Sequence, residues 1–206
     1  SQGEIPQPLH PPTNLLPTTS SFVFLGLYLT YVRNSKFTHA NNYSTIDFMA
    51  NCVVELYSID PSASYMHAFV YIRQLALHLK NALMMKTKVN KYIEDFLDDF
   101  KISIQDAHIN VYNWQYINSI RVWARLLSGG TSGGAPAPEL RPLIYPLVQL
   151  IFGAISLVPT ARYYPLRFIC IRLLLRLAEA NHIFINVLPY LLQVNSPTSL
   201  KATSSQ

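Results

Sequence analysis

Apolar side chains at Ile46, Met49, Ala50, Val53, Val54 and Tyr57 recur at the spacing of one helix face. Ser44 with Asp47 resembles a capping box at the start of this stripe. Asp60 followed by Pro61 predicts the next helix start, an acceptor side chain ahead of a residue preset for the first turn. The stripe that follows runs through Tyr65, Ala68, Phe69, Ile72, Ala76, Leu79 and Leu83. A third amphipathic pattern covers 92 to 104, with Glu94, Asp95, Asp98 and Asp99 mainly off the apolar face. Trp114, Ile117, Trp123 and Leu127 mark a fourth, which also carries Arg121 and Arg125. Further on, Pro142 and Pro146 open a nearly uncharged helix, Pro165 opens one running to Ala180, and a short helix is expected over 183 to 194.

These patterns predict an all-α protein. Helix pairs separated by short breaks suit a HEAT-like solenoid, with a compact helical bundle as the alternative architecture. Residues 1 to 20 hold five prolines (Pro6, Pro8, Pro11, Pro12 and Pro17) and read as an extended arm. The helical-repeat domain is expected over 21 to 194, interrupted by a flexible glycine-rich linker at 128 to 139, and 195 to 206 reads as a disordered Ser/Thr-rich tail.

Half of the 206 residues are hydrophobic, 25 are Phe, Tyr or Trp, and only 13% are charged. That is enough to bury a substantial core, and the scarcity of polar surface points to a subunit that meets another macromolecule. Membrane insertion is the competing explanation. Leu143 to Val158 has no charge, but at 16 residues it falls short of a span and is broken by Pro146, Gln149 and Gly153. The expectation is a soluble, intracellular protein in which Cys52 and Cys170 are buried thiols.

Charge is unevenly distributed. The net charge is 0 over residues 1 to 85, −1 over 86 to 110 and +6 over 111 to 206. A basic C-terminal half suits phosphate backbones, an acidic protein partner or plain solvation of a helix face. Arg162, Arg167, Arg172 and Arg176 form the candidate basic contact surface; Arg172 and Arg176 share a helix face, and Tyr163 and Tyr164 are candidates for stacking on unpaired bases. Glu179, three residues after Arg176, offers that arginine a surface ion pair instead.

Catalytic, metal and cofactor chemistry find no motif. The six histidines form no His-Glu-x-x-His arrangement, there is no nucleophile elbow, and the acidic stretch lacks the loop spacing of a calcium site. The glycine-rich run lacks the Gly-Lys-Ser/Thr ending of a phosphate loop. A non-enzymatic role without cofactor or metal is expected.

Several stretches together resemble the nucleolar complex protein 2 family. They are FMANCVVELY at 48 to 57, the stretch from Tyr65 to Ala82, VYNWQ at 111 to 115, LRPLIYPLVQ at 140 to 149, PTARYYPLRF at 159 to 168 and VLPYLL at 187 to 192. The resemblance covers 22 to 86 and 111 to 194, while 87 to 110 and the glycine-rich linker depart from the family pattern. Family members are also much longer. The resemblance implies a HEAT-like fold, a nuclear and nucleolar location, and heterodimers with the related first or third nucleolar complex proteins on pre-60S ribosomal particles, with possible contact to precursor ribosomal RNA. The expected function is thus a scaffold in large-subunit assembly and nuclear transport. A helical adaptor or chaperone for charged proteins such as histones, without RNA contact, is the alternative.

Overall fold

The computed structural model describes residues 19–92, 111–131, 133–157 and 161–193. Most of the proline-rich arm, the acidic stretch after Tyr92 and the C-terminal tail lie outside these. Among the described residues the structure is helical, with no strand. The α-helices are α1 (Thr19–Asn34), α2 (Tyr43–Ile59), α3 (Pro61–Tyr92), α4 (Trp114–Leu126), α5 (Ile144–Leu157), α6 (Tyr164–Asn181) and α7 (Leu188–Leu192). Short 3-10 turns at Pro138–Leu143 and Ala161–Tyr163 lead into α5 and α6.

Local chemistry explains most of the boundaries. Asp60 Oδ1 accepts from the backbone N–H groups of Ser62 and Ala63, satisfying two orphan donors of α3. Asn113 does the same for α4 through Tyr116 N–H at 2.8 Å. Pro165 sits in the first turn of α6, where its missing N–H costs nothing. The expected capping box at Ser44 and Asp47 does not form. Asn42 holds the N-cap position of α2, and its amide ties the preceding turn by accepting from His39 N–H and donating to the Phe37 carbonyl. The last helix is shorter than its pattern suggested: 183 to 187 are not helical, and α7 begins at Leu188 ahead of Pro189.

Helix α4 is the hub, packing against α1, α2, α3, α5 and α6. Trp123, fully buried, stands between the rings of Tyr28, Tyr57 and Tyr71, at centroid distances of 5.0, 5.4 and 6.1 Å. Asn118, also fully buried, donates to Thr38 Oγ1 at 2.9 Å while its backbone carbonyl accepts from Tyr31 at 3.2 Å, so α4 is tied to α1 and to the turn that follows it.

The uncharged segment is part of a longer helical run. The 3-10 turn, which carries Glu139 and Arg141, joins it in one helical run, Pro138–Leu157, of 20 residues with an 18-residue window of mean hydropathy 1.5, long and apolar enough to cross a membrane by length and composition. Leu147, Ile151, Ala154, Ile155 and Leu157 are nevertheless buried inside the protein, and the helix packs on α3 and α6 as a core element. Gly153 permits the close approach, since a Cβ there would lie 2.6 Å from Leu79 Cδ2.

Both cysteines are free, Cys170 buried and Cys52 half-buried. Burial pushes the Cys170 thiol up to about 12, which keeps it protonated and unreactive. A thiol reagent in mildly alkaline buffer is expected to modify Cys52 in the native protein and Cys170 only after unfolding. Mass spectrometry of the labelled protein checks this.

Candidate basic and aromatic groove

Three helices each contribute residues four apart to one concavity of about 500 Å³. Helix α2 supplies Tyr43 and Asp47, α4 supplies Arg121 and Arg125 with Trp114 at its start, and α6 supplies Phe168, Arg172 and Arg176. The geometry follows from the helix repeat, which stacks i and i+4 side chains on one face. Four guanidinium groups therefore surround a single carboxylate.

The floor of the groove is preorganised. Asp47 Oδ1 accepts from Arg121 Nη2 at 3.2 Å and from Arg125 Nη2 at 2.7 Å. Arg121 also donates to Asn118 Oδ1 at 3.0 Å and to the Tyr43 hydroxyl at 2.7 Å, with its guanidinium 5.1 Å from the Tyr43 ring centre. Arg125 donates to Asn51 Oδ1. These contacts hold both side chains in one geometry, and Asp47, read in sequence as part of a cap, is instead the anchor of the site.

The α6 wall is less satisfied. Arg172 is exposed and has no hydrogen-bonding or ionic partner among the described residues. Arg176 makes one long contact, donating to the Gly130 carbonyl at 3.4 Å, and does not pair with Glu179. Partial burial of its guanidinium, together with the charge of Arg125, lowers its proton affinity below the ordinary arginine value. Arginine remains cationic across the physiological range all the same.

The four arginines singled out in sequence do not form one surface. Arg172 and Arg176 line the groove, whereas Arg162 is exposed near the start of α6, 6.0 Å from the Tyr163 ring centre. Arg167 departs from the expectation of an exposed contact. It is 4% exposed, with its guanidinium 5.6 Å from the Tyr164 ring, because its position on α6 turns it toward the face that carries Cys170, Ile171 and Leu174. The stacking candidates are elsewhere too: Tyr163 packs on Tyr112 at 4.5 Å, and Tyr164 lies under Arg167. The aromatic side chains that do line the groove are Tyr43, Trp114 and Phe168, each more than two-fifths exposed. Sequence reasoning missed Arg121 and Arg125 as site residues, although their four-residue spacing mirrors that of Arg172 and Arg176.

Removing the shared carboxylate is expected to destabilise the fold. Asp47→Ala leaves two largely buried guanidinium groups without their ionic partner, at a cost of about 1–3 kcal/mol. A chemical-denaturation midpoint measured against the parent chain checks it, and an unchanged midpoint would show the pairs to be energetically neutral.

A larger concavity of about 1110 Å³ lies between α5 and the segment leading into α7, lined by Tyr145, Phe152, Phe184 and Tyr190 among others. Among the described residues Arg141 is its only Lys, Arg, Asp or Glu, so it lacks the converging charges of the smaller groove. Among the described residues no group of three or more His, Cys, Asp or Glu side chains is placed to hold a metal ion.

Comparison with known proteins agrees across nearly the whole chain. Residues 18–206 match the model of the Noc2p family. Nucleolar complex protein 2 of Drosophila melanogaster is 44% identical over 177 residues, covering 86% of this chain and 20% of the relative. Nucleolar complex-associated protein 2 of Arabidopsis thaliana is 43% identical over 164 residues, 80% of this chain and 19% of the relative. A nucleolar complex protein 2 homolog of Caenorhabditis elegans is 31% identical over 161 residues, 78% of this chain and 20% of the relative. The chain spans about a fifth of the length of these relatives. With the family pattern running from α1 through every groove-lining helix, the chain belongs to the Noc2p family.

Proposed function

We propose that this chain is a non-catalytic helical scaffold of the nucleus and nucleolus that acts in assembly of the large ribosomal subunit. Its helices form a HEAT-like array that pairs with a related first or third nucleolar complex protein and joins pre-60S particles during their assembly and transport. The observation that carries this reading is family membership over residues 18–206, whose relatives are named as nucleolar complex proteins. The surface supports it: Phe37, Phe48, Ile59 and Phe184 are large apolar side chains left more than 60% exposed, as expected of a subunit rather than a solitary protein. The groove adds a basic surface to these apolar ones. Additive binding follows, with apolar anchors supplying protein affinity and arginines a salt-sensitive attraction to anions.

Affinity purification of the tagged chain from growing cells, with and without ribonuclease, followed by mass spectrometry, tests the proposal. The expected result is recovery of a related nucleolar complex subunit together with large-subunit assembly factors. Recovery of neither overturns it, and selective capture of histones or other charged chains would replace it with an adaptor role.

A further inference from the structure

The groove between α2, α4 and α6 holds unused binding capacity of a specific chemical kind. Asp47 is occupied by Arg121 and Arg125, so the site keeps a surplus of three positive charges from four arginines and one carboxylate. Arg172 is unpartnered among the described residues, and Arg176 has only its long contact to Gly130. Their side chains emerge one turn apart, about 6 Å, on the same wall. A planar guanidinium presents a fork that matches phosphate oxygens.

Two of the aromatic rings are equally uncommitted. Tyr43 is engaged with Arg121, but Trp114 and Phe168 stand 41% and 49% exposed with no ring contact among the described residues. An acidic peptide would answer the arginines and leave these rings without a role. A nucleotide carries both an anion and a flat π-face, and unpaired bases are recognised by stacking on aromatic side chains beside cationic groups. The concavity, at about 500 Å³, has room for one or two unstacked nucleotides, whose base faces, unlike those of a stacked duplex, are open to the rings.

We propose that this groove binds unpaired RNA, with Arg172 and Arg176 holding phosphates and a base lying against Trp114 or Phe168. The proposal rests on the scaffold reading above and names the ligand of its basic surface. The arginines hold the backbone and the rings hold the base, so binding is strand-selective and tolerant of sequence.

The test uses the purified 206-residue chain and three probes: an oligouridylate of about ten nucleotides, a duplex RNA of the same length and an oligoglutamate. Anisotropy reports affinity and intrinsic fluorescence reports stacking. The chain has two tryptophans, and Trp123 is buried in the aromatic core, so ligand-induced quenching reads Trp114. Oligouridylate is expected to bind at least tenfold more tightly than the duplex or oligoglutamate, and to quench. Its logarithmic salt dependence should carry a slope of roughly −0.7 for each phosphate held. Arg172→Ala with Arg176→Ala is expected to weaken it at least tenfold and flatten the slope by roughly 1.4. Trp114→Leu should remove the quenching and weaken binding roughly tenfold. These side chains are exposed or partly exposed, and circular dichroism confirms that each variant is folded. Oligoglutamate binding as tightly as oligouridylate without quenching overturns the proposal in favour of an acidic peptide, and unchanged affinity in the double variant overturns it outright. The two readings fail separately: nucleolar partners recovered from cells by a chain that ignores oligouridylate sink only the RNA site, whereas oligouridylate binding without those partners sinks only the scaffold role.

Discussion

Trp123→Ala is expected to lower stability by about 3–5 kcal/mol, the range for truncating a fully buried aromatic side chain to a methyl group. The loss is large because the indole is the common neighbour of three helices. It contacts Tyr28 of α1, Tyr57 of α2 and Tyr71 of α3, and a cavity at the hub deprives all three rings of a packing partner at once. For a chain of this size each kilocalorie moves the thermal midpoint by about 2–4 °C, so a fall of roughly 6–20 °C follows. Trp123→Phe should cost much less. The indole N–H is buried with no partner in hydrogen-bonding geometry among the described residues, so phenylalanine keeps a ring in place while removing an unsatisfied donor. A thermal melt by circular dichroism decides it; equal losses in the two variants would mean that the ring's packing is not what stabilises the hub.

Alkaline pH is expected to unfold the protein over a narrow range. Tyr28, Tyr31, Tyr57 and Tyr116 are all at most 4% exposed. Burial raises their proton affinities well above the ordinary tyrosine value, Tyr28 to about 12 and the other three further. Three of the hydroxyls donate to backbone carbonyls, Tyr31 to Asn118, Tyr57 to Phe24 and Tyr116 to Leu75, bonds that a tyrosinate cannot make. Below pH of about 10 the phenols are neutral folded or unfolded, and their contribution is fully present. Above it, only the unfolded chain releases protons, so the folded state loses up to about 1.4 kcal/mol per pH unit for each tyrosine. Four together approach about 5.5 kcal/mol per unit, near the lower end of a typical domain's whole stability. Cys170, raised to about 12, adds to the slope from the ordinary thiol range upward. Tyrosinate absorbance should therefore rise together with loss of the helical signal between about pH 10 and 12. Full ionisation with the helices intact would contradict this.

The reading of α3 shows where the hydrophobic pattern stops being informative. Its cap at Asp60 and its first turn at Pro61 were legible, since both are local chemistry. Its buried face was legible only in part. Ala68, Ile72 and Leu79 are buried as expected, but Phe69 is 42% exposed and Ala76 is exposed, while Ser64, Leu75 and Ala82 are buried. Pattern reading favours large side chains. Packing here also selects small ones: the Ser64 hydroxyl donates to the Tyr57 carbonyl at 2.5 Å, a contact between the ends of consecutive helices.

The chain's own sequence determined that it is helical, where α3 and α6 begin, and that its C-terminal half carries the surplus arginine. Those properties depend on neighbours within a turn or two of helix. It could not say which arginines would meet a ligand, because that depends on which face of each helix its remote neighbours cover. Arg167 and Arg172 lie on the same helix, yet one is buried over Tyr164 and the other lines the groove, exposed and unpaired among the described residues. Likewise Asp47 reads locally as a cap, and becomes the anchor of a basic site only because the fold brings Arg121 and Arg125 to it from more than seventy residues away. Helix periodicity distributes side chains over faces, and tertiary packing alone chooses which face is left to bind.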